Sequence, residues 1–341
     1  MLELPDDWVW DFWTASDAGL HHLFFLKAPR SLGDPDLRHR SASVGHAVSE
    51  DLVSWRRVAD ALGPQPAPAY DDLATWTGCV VRADRADGEE PWLMFTSGLS
   101  SVEAGNVQRI GVSTSPDLTT WSRVPDVVVQ ADERWYLRHT GHDHEEHWRD
   151  PWVVRDEHGT WHMYVTAQGV GDLPGPAPRP GDRPGRGRGV VGHATSADLR
   201  TWQVTEPLSD VGGRFDQLEV ISVLQVDGRW VLLFSCLGPE MPGAGPGAGG
   251  IWSVAVNGPG TRVDPARAVR LTNERLYVGK VLPQPGGGGV LLAFRQADEH
   301  GAFVGGIIDP LPVVWDAAGN GLRLDLREGD PASVYAPDSP G

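Results

Sequence analysis

The chain has 341 residues, of which 40% are hydrophobic, and a formal net charge of −17 at pH 7. A chain of this length buries a large core in one or two domains. The negative charge argues against a nucleic-acid or anionic-membrane partner, since both require a basic surface, whereas a neutral carbohydrate fits better.

The N-terminal segment is acidic and aromatic, and it lacks the basic, apolar and small-residue order of a signal peptide. No later apolar run approaches the ~20 residues needed to cross a membrane. We therefore expect a cytoplasmic chain.

A sequence motif recurs along the chain and fixes the expected fold. Three close copies are VGHAVSEDLVSW ending at Trp55, IGVSTSPDLTTW ending at Trp121 and VGHATSADLRTW ending at Trp202. Two weaker copies are GGIWSVAVNGPG at 249–260 and VGGIIDPLPVVW ending at Trp315. The close copies predict a strand that enters a turn, where the Asp bonds its own backbone and the Leu and Trp pack.

Two further strands precede each copy. The aromatic-rich second strands are HLFFLKAP at 22, PWLMFTSG at 91, WHMYVTAQ at 161, WVLLFSCL at 230 and GVLLAFRQ at 289. The first strands are the region of Trp10 to Trp13, WTGCVVRA from 76, DPWVVRD from 150, LEVISVLQV from 218 and YVGKVLPQ from 277. Cys79 and Cys236 lie in these strands and are expected to be buried thiols rather than a disulfide.

Five copies of a four-strand unit predict an all-β chain folded as a five-bladed β-propeller of antiparallel strands. A β-sandwich or β-helix is the alternative, which a four-strand repeat disfavours. We expect the propeller over residues 1–320 and a C-terminal tail over 321–341. Long loops at 28–42, 98–109, 168–189 and 238–249 join second to third strands, so they share the face where the first strands begin, and this face is the expected binding surface.

Three first strands begin with a carboxylate, namely Asp11, Asp150 and Glu219. A propeller brings these positions together around its axis. Clustered carboxylates shift one another's pKa, so that one stays protonated while another is ionised. Glycoside cleavage requires such a pair, which makes these three residues the catalytic candidates.

Candidate substrate-binding residues surround these acids. The 15 tryptophans of the chain include several at the expected channel mouth, and an indole ring is a stacking platform for sugars. The candidates are Trp10, Trp13, Trp76, Thr77, His147, Trp148, Arg149 and Tyr277.

The segment HTGHDHEEHWRD combines imidazole and carboxylate groups, which are metal ligands. These groups belong to His139, His142, Asp143, His144, Glu145, Glu146 and His147. Their spacing matches no standard helical zinc motif, so a polar active-site loop is favoured, and neither a metal nor a cofactor is expected. His46 and His193 recur in the repeat and are interpreted as structural.

From about Trp8 to about Ile308 the sequence resembles the furanosidase superfamily of five-bladed propellers, above all glycoside hydrolase families 32 and 68. The motifs that carry the resemblance are WVWDFW, similar to the levansucrase form of the nucleophile motif; HLFFLKAP; GHAVSEDLVSW; WTGCVV, with Thr77 in place of Ser; WRDP, which matches Arg-Asp-Pro; and LEVI, where the family has Glu-Cys or Glu-Arg.

This resemblance implies cleavage of a β-fructofuranoside or similar furanoside with retention. It implies that Asp11 is the nucleophile and Glu219 the acid/base. Asp150 would hold sugar hydroxyls and stabilise the oxocarbenium-like transition state, while Arg149 would bind hydroxyls and keep Asp150 ionised. Each residue also has a structural interpretation, as a turn cap for Asp11, an ion pair for Arg149 and Asp150, and a bonded blade residue for Glu219.

The sequence departs from the family at the nucleophile and acid/base motifs, where Phe12 and Val220 replace polar residues, and at Leu26 and Lys27, where Gln is usual. The C-terminal β-sandwich common in family 32 is not expected, because only about thirty residues follow the last blade. The length also suits family 43, whose members cleave arabinosides and xylosides and usually invert. A sugar-binding propeller without catalysis is the alternative from another class.

Overall fold

The structure is a computed structural model that describes residues 1–83, 91–103, 106–138, 145–173 and 186–337. It contains five antiparallel sheets whose strands follow one another in chain order from the inside outward. The predicted all-β, five-bladed propeller with four strands per blade is thereby confirmed.

The blades are formed by consecutive strands. Blade one contains β1 (Asp7–Asp17), β2 (Leu20–Pro29), β3 (Ser43–Ser49) and β4 (Arg56–Arg57). Blade two contains β5 (Ala74–Arg82), β6 (Trp92–Leu99), β7 (Asn106–Ser115) and β8 (Ser122–Val129), and β9 (Glu145–Glu146) pairs in parallel with β7. Blade three contains β10 (Trp148–Arg155), β11 (Trp161–Gln168), β12 (Gly189–Ser196) and β13 (Gln203–Val204).

The last two blades follow the same order. Blade four contains β14 (Glu219–Val226), β15 (Arg229–Cys236), β16 (Gly250–Ala255) and β17 (Val269–Arg270). Blade five contains β18 (Leu276–Pro283), β19 (Gly289–Arg295), β20 (Leu311–Trp315) and β21 (Leu322–Leu324). Short 3-10 helices occupy Arg30–Leu32, Pro35–Ser41, Gly238–Glu240, Pro265–Arg267 and Pro331–Tyr335. Over the described ranges, no helix has the length and apolar character required to span a membrane.

The ring closes through the innermost strands. Strands β1, β5, β10, β14 and β18 contact one another in that order, and β18 also contacts β1. Leu2 and Ile307 strengthen this closure by exchanging two backbone hydrogen bonds of 2.9 Å. Strand β21 carries blade five beyond residue 320, the expected end of the propeller.

The repeated Ser-x-Asp-Leu motif forms a turn between the third and fourth strands. In blade two, Oδ1 of Asp117 accepts the backbone N–H groups of Thr119 and Thr120 at 2.8 and 2.7 Å. Leu118 is buried with a φ of 63°, which this turn requires. The same φ is found at Leu52 and Leu199.

Two of the tryptophans that end the motif connect neighbouring blades. Trp121 of blade two packs edge-on against Phe24 of blade one, with ring centroids 5.7 Å apart. Trp202 of blade three makes the same contact with Phe95 of blade two at 5.6 Å. Such aromatic pairs are favourable beyond the area they bury, so these two tryptophans secure blades two and three against the blades that precede them.

The histidines of the repeat are structural, as predicted. His46 stacks on His22 with Nε2 and Nδ1 3.0 Å apart, and His193 repeats this contact with His162. The two cysteines are buried free thiols, as expected.

A β-bulge interrupts the innermost strand of every blade at the same level. The shifts in register fall between Trp10 and Phe12, Thr75 and Gly78, Arg149 and Trp152, Glu219 and Ser222, and Tyr277 and Lys280. A bulge bends a strand and redirects its side chains. The candidate catalytic residues lie at or beside these bulges.

Hydroxyl groups of the preceding blade hold three of these bulges. The bulged residues Asp150, Val220 and Val278 have φ values of 56°, 52° and 52°. Their N–H groups donate, in the same order, to the hydroxyls of Ser97, Thr166 and Ser235 at 2.8, 3.2 and 2.9 Å. A sparsely populated backbone conformation persists where such contacts determine it.

Candidate active site

A cavity of about 240 Å³ lies at the axis, on the face where the innermost strands begin. Asp11 of blade one, Asp150 of blade three and Glu219 of blade four all line it. The structure thus brings together the three carboxylates that the four-strand repeat predicted to meet. Five of the predicted substrate-binding residues line the same cavity, namely Trp10, Trp76, Thr77, Arg149 and Tyr277.

Asp11 occupies the bulge of β1. Its Oδ2 accepts a hydrogen bond of 2.5 Å from the hydroxyl of Thr77 in blade two. Burial raises the pKa of Asp11 to about 7, and the neighbouring Asp150 and Glu219 add to the rise, while Thr77 and Arg38 oppose it. A carboxyl with this pKa changes charge near neutral pH.

Asp150 is buried, and its backbone φ of 56° lies in the left-handed region. Its Oδ2 accepts a hydrogen bond of 2.8 Å from Thr166, and Nε of Arg149 lies 3.3 Å from the same oxygen. Burial raises the pKa of Asp150 above its usual value, and the positive charge of Arg149 opposes this rise. The side chain of Asp150 is therefore fixed by its own blade, while Ser97 of blade two holds its backbone N–H.

Arg149 connects the carboxylates of blades three and four. Its Nη2 pairs with Oε1 of Glu219 and donates to Oε1 of Gln217 at 3.2 Å. Its Nη1 contacts Oε1 of Gln108 at 3.2 Å and Nδ1 of His147 at 2.7 Å. Burial, with the charge of Arg149, holds the pKa of His147 well below its usual range, so a neutral imidazole accepts this hydrogen bond.

Glu219 is the more accessible member of the Arg149 pair, with a side chain 20% exposed. Its second oxygen, Oε2, accepts a hydrogen bond of 2.6 Å from the hydroxyl of Tyr277 in blade five. Burial raises the pKa of this phenol well above its usual value, so Tyr277 acts as a donor. Glu219 is thus oriented by one neighbour on each side.

Three of the predicted substrate-binding residues do not line the cavity. Trp13 and Trp148 are fully buried, Trp13 stacked on Phe24 at 6.1 Å and Trp148 packed on Tyr136 at 4.8 Å. They belong to the apolar core, and their interpretation as sugar-stacking platforms was wrong. His147 contacts Arg149 and therefore positions that residue rather than reaching the cavity.

Several lining residues were not singled out in the sequence. Arg38, His39, Glu240 and Gln296 all come from connections between second and third strands. The guanidinium of Arg38 packs 3.9 Å from the centroid of the Phe303 ring, and its charge favours the ionised form of Asp11. For Arg38, His39 and Glu240 the signal available in the sequence was their position in the long loops at 28–42 and 238–249, whereas Gln296 ends the predicted second strand GVLLAFRQ.

A buried cation lies further along the channel. Lys280 of β18 is 3% exposed, and its Nζ lies 4.8 Å from the centroid of the Trp152 ring. Burial lowers the pKa of Lys280 to about 8, and the negative forms of Cys79, Asp150 and Asp11 oppose this change. The lysine therefore adds positive charge near the carboxylates.

The histidine-rich segment is only partly described. His139, His142, Asp143 and His144 lie outside the described residues. Glu146 is buried and pairs with Arg109 at 3.1 Å and with Arg138 at 2.9 Å. Within the described ranges, no group of three or more His, Cys, Asp or Glu residues is arranged to hold a metal ion.

Comparison with known proteins matches residues 14–173 to the glycosyl hydrolases family 32 N-terminal domain. Sucrose-6-phosphate hydrolase of Bacillus subtilis (strain 168) is 26% identical over 150 residues, which cover 44% of this chain and 27% of that protein. Fructan 6-exohydrolase of Triticum aestivum is 29% identical over 160 residues, covering 44% of this chain and 23% of that protein. The matches therefore span about a quarter of the length of these relatives.

Solved structures share the whole fold. Inulosucrase from Halalkalicoccus jeotgali bound to kestose aligns with a TM-score of 0.68 at 20% identity, covering 94% of this chain and 87% of that chain. Levansucrase from Gluconacetobacter diazotrophicus aligns with a TM-score of 0.68 at 18% identity, covering 99% and 84%. The chain therefore shares the five-bladed fold of these two enzymes, and over residues 14–173 it is similar to the N-terminal domain of glycosyl hydrolases family 32.

Proposed function

We propose that the chain is a glycoside hydrolase that cleaves a β-fructofuranoside or a similar furanoside with retention. The observation that carries the proposal is the meeting of Asp11, Asp150 and Glu219 in one cavity of about 240 Å³. The relatives support this substrate class, since they include a fructan 6-exohydrolase and a beta-fructofuranosidase of Oryza sativa subsp. indica.

In this proposal Asp11 attacks the anomeric carbon of the furanosyl unit. Burial, with Asp150 and Glu219, raises the pKa of Asp11 to about 7, while Thr77 and Arg38 favour the ionised form in which a carboxylate acts as a nucleophile, so both forms are present near neutral pH. The bond to the leaving oxygen breaks as the bond to Asp11 forms, and a glycosyl-enzyme intermediate results.

Glu219 serves as the acid/base. It gives its proton to the leaving oxygen in the first step and takes a proton from water in the second. Arg149 and Tyr277 hold its two oxygens and so fix the direction of proton transfer. Asp150 binds sugar hydroxyls and stabilises the positive charge that develops on the ring.

The matched family domain covers Arg149 and Asp150 but neither Asp11 nor Glu219. The roles of those two residues therefore rest on the geometry of the cavity. A direct test is the turnover of sucrose, 1-kestose and aryl furanosides, with the anomer of the released sugar followed by NMR. We expect release with retained configuration, and loss of turnover by about 10³-fold or more in Asp11→Asn.

A matched control keeps this test specific. Asp325→Asn alters an aspartate that is half exposed on the outermost side of blade five, and it should leave turnover unchanged. The proposal fails if the wild-type chain turns over none of the furanosides. Binding of these sugars that survives Glu219→Gln, with no turnover by either chain, would instead support a sugar-binding propeller.

One observation favours a second candidate. Leu26 lines the cavity where the related families have a Gln, so a partner for a sugar hydroxyl is replaced by an apolar group. A sugar with fewer hydroxyl groups fits such a site, as an arabinofuranoside or xyloside would. Release of the inverted anomer from an aryl arabinofuranoside, with no turnover of fructosides, would decide for this inverting alternative.

A further inference from the structure

The guanidinium of Arg149 uses all of its N–H groups inside the protein. A guanidinium carries five N–H donors in a fixed planar fork, one on Nε and two on each Nη. Nε of Arg149 lies 3.3 Å from a carboxylate oxygen, and each Nη contacts two side chains. The partners of the three nitrogens are Asp150 on Nε, Gln108 and His147 on Nη1, and Gln217 and Glu219 on Nη2. Every donor of the fork therefore has a protein partner.

These partners divide into charged and neutral groups. Two are carboxylates that line the axial cavity. The other three are neutral acceptors, namely the amide oxygens of Gln108 and Gln217 and the imidazole of His147. They come from β7 of blade two, from the residues just before β14 of blade four, and from the connection between β9 and β10. Neutral groups thus fix the guanidinium from three directions and leave its full charge to the two carboxylates.

Gln108 shows that the neutrality of these acceptors matters. Its Oε1 accepts the backbone N–H of Trp148 at 3.0 Å together with Nη1 of Arg149 at 3.2 Å, and this convergence sets the orientation of the amide. Its Nε2 is buried and has no hydrogen-bond partner among the residues that the structure describes. A buried, unpaired donor costs free energy, and a glutamate would accept both hydrogen bonds without it. A glutamate would, however, place a third carboxylate beside Arg149.

The same contacts limit what Arg149 can do for a sugar. Arg149 lines the cavity but is only 8% exposed. To donate to a sugar hydroxyl it would have to release one of its partners, and Gln108, Gln217 and Asp150 are all buried. A buried polar group that loses its partner is left with an unmet desolvation cost. Arg149 is therefore suited to act on the reaction through its carboxylates.

We propose that Arg149 is a positioning residue that orients Asp150 and Glu219, and that Gln108 and Gln217 are the neutral anchors that hold it for this task. The inference rests on the proposed function, because Asp150 and Glu219 are the groups that would act on the sugar. It assigns Arg149 a role different from the hydroxyl binding that the resemblance implies.

Arg149→Lys distinguishes the two roles. Lysine keeps the positive charge and can donate to a sugar hydroxyl, but it cannot hold five acceptors in one plane. If Arg149 positions the carboxylates, kcat for sucrose and 1-kestose should fall about 100-fold while KM stays within about threefold. If Arg149 binds hydroxyls, KM should rise and kcat should be kept, and this result would overturn the proposal.

A second set of variants tests the anchors. Gln108→Met keeps the size and neutrality of the side chain but removes the acceptor, whereas Gln108→Glu keeps the acceptor and adds a charge. We expect both to lower kcat about tenfold with little change in KM. If the amide only supported the fold, Gln108→Glu would behave as wild type, because it preserves both hydrogen bonds, and that outcome would remove the neutral anchor.

Two further variants make this comparison specific. Gln225→Glu adds the same charge at an exposed position of β14 and should leave both kinetic constants unchanged. Gln217→Glu repeats the test of neutrality from blade four, and the same loss of kcat is expected. Melting temperatures equal to that of the wild type show that a loss does not come from misfolding.

The titration of Asp150 provides a readout that needs no turnover. Burial raises the pKa of this carboxyl, and the charge of Arg149 opposes the rise. The other charged groups that face Asp150 are Glu219 of β14, Asp11 of β1 and Lys280 of β18. A carboxylate added beside Arg149 offsets part of the charge of the guanidinium, so the pKa of Asp150 should increase.

Carbon-13 NMR of the aspartate carboxyl groups against pH measures this change, with Asp150→Asn identifying the signal. We expect a higher pKa for Asp150 in Gln108→Glu and an unchanged one in Gln225→Glu. If the wild-type chain turns over no furanoside but the pKa increases, the arrangement around Arg149 stands and the proposed hydrolase falls. Turnover with an increase of KM alone in Arg149→Lys, and no change in the titration, leaves the hydrolase and removes the positioning role.

Discussion

The hydroxyl of Tyr277 donates a hydrogen bond of 2.6 Å to Oε2 of Glu219, on the side opposite the Arg149 ion pair. Proton transfer depends on the direction in which a carboxyl group points, and this contact sets that direction from the neighbouring blade. We expect Tyr277→Phe to lower kcat about 10- to 100-fold, because Glu219 loses one of its two fixed partners. Steady-state kinetics on the best furanoside checks this, and an unchanged kcat would contradict it. An unaltered melting temperature would exclude misfolding as the cause of a loss.

The raised pKa of Asp11 predicts the acidic side of the pH profile. The pKa of this carboxyl lies at about 7, and a nucleophile must be ionised. Log kcat/KM should therefore fall as the pH drops through about 7, since the protonated fraction of Asp11 increases. Measurement from pH 4 to pH 9 gives the profile, and activity that stays level down to pH 5 would argue against Asp11 as the nucleophile.

Thr77 offers a matched pair of variants for the same profile. Its hydroxyl donates to Asp11 and lowers the pKa of that carboxyl, so its removal in Thr77→Ala should move the acidic limb to higher pH. Thr77→Ser keeps the hydroxyl and should keep the limb in place. Equal profiles for the two variants would show that the hydrogen bond does not tune Asp11.

Lys280 predicts an effect on stability at alkaline pH. Its pKa is about 8 in the folded chain, below that of a solvated lysine. As the pH rises from about 8 to about 10.5, the unfolded chain holds more protons at this site than the folded chain, so this group makes the free energy of unfolding increase. Lys280→Met lacks this contribution.

The measurement is the difference in unfolding free energy between wild type and Lys280→Met across that range. The difference should change in favour of the wild type as the pH rises, and Lys280→Arg, which stays charged, should not reproduce the wild-type increase. A constant difference would mean that Lys280 ionises as in water.

The repeat in the sequence was sufficient to predict the blades and the meeting of three acids, because position within a blade determines distance from the axis. It was not sufficient to predict which tryptophans reach the cavity. Side chains alternate between the two faces of a strand, and the bulge between Trp10 and Phe12 shifts that alternation. Trp10 lies beside the bulge at the level of the cavity and lines it, while Trp13 lies further along β1 and is fully buried in the core.

The sequence did not predict which loop residues line the cavity, for a different reason. Arg38 and Gln296 belong to connections of unequal length that share no pattern. The blade repeat therefore does not predict where they lie relative to the axis. Asn273 in addition binds the C-terminal segment at Val334, about 60 residues away. Such long-range contacts leave no periodic signal.

The hydroxyls of Ser97, Thr166 and Ser235 determine which parts of the chain can change in sequence without moving the bulges. Each fixes the bulge of the next blade from inside the ring, so strands rather than rim loops hold the backbone at Asp150 and next to Glu219. Under the proposed function, we therefore expect insertions or exchanges in the outer loops to alter which sugars enter while the backbone at Asp150 and Glu219 keeps its position. Replacing a whole blade, by contrast, would remove the hydroxyl that holds the bulge of the next blade, and the residues at that bulge would move.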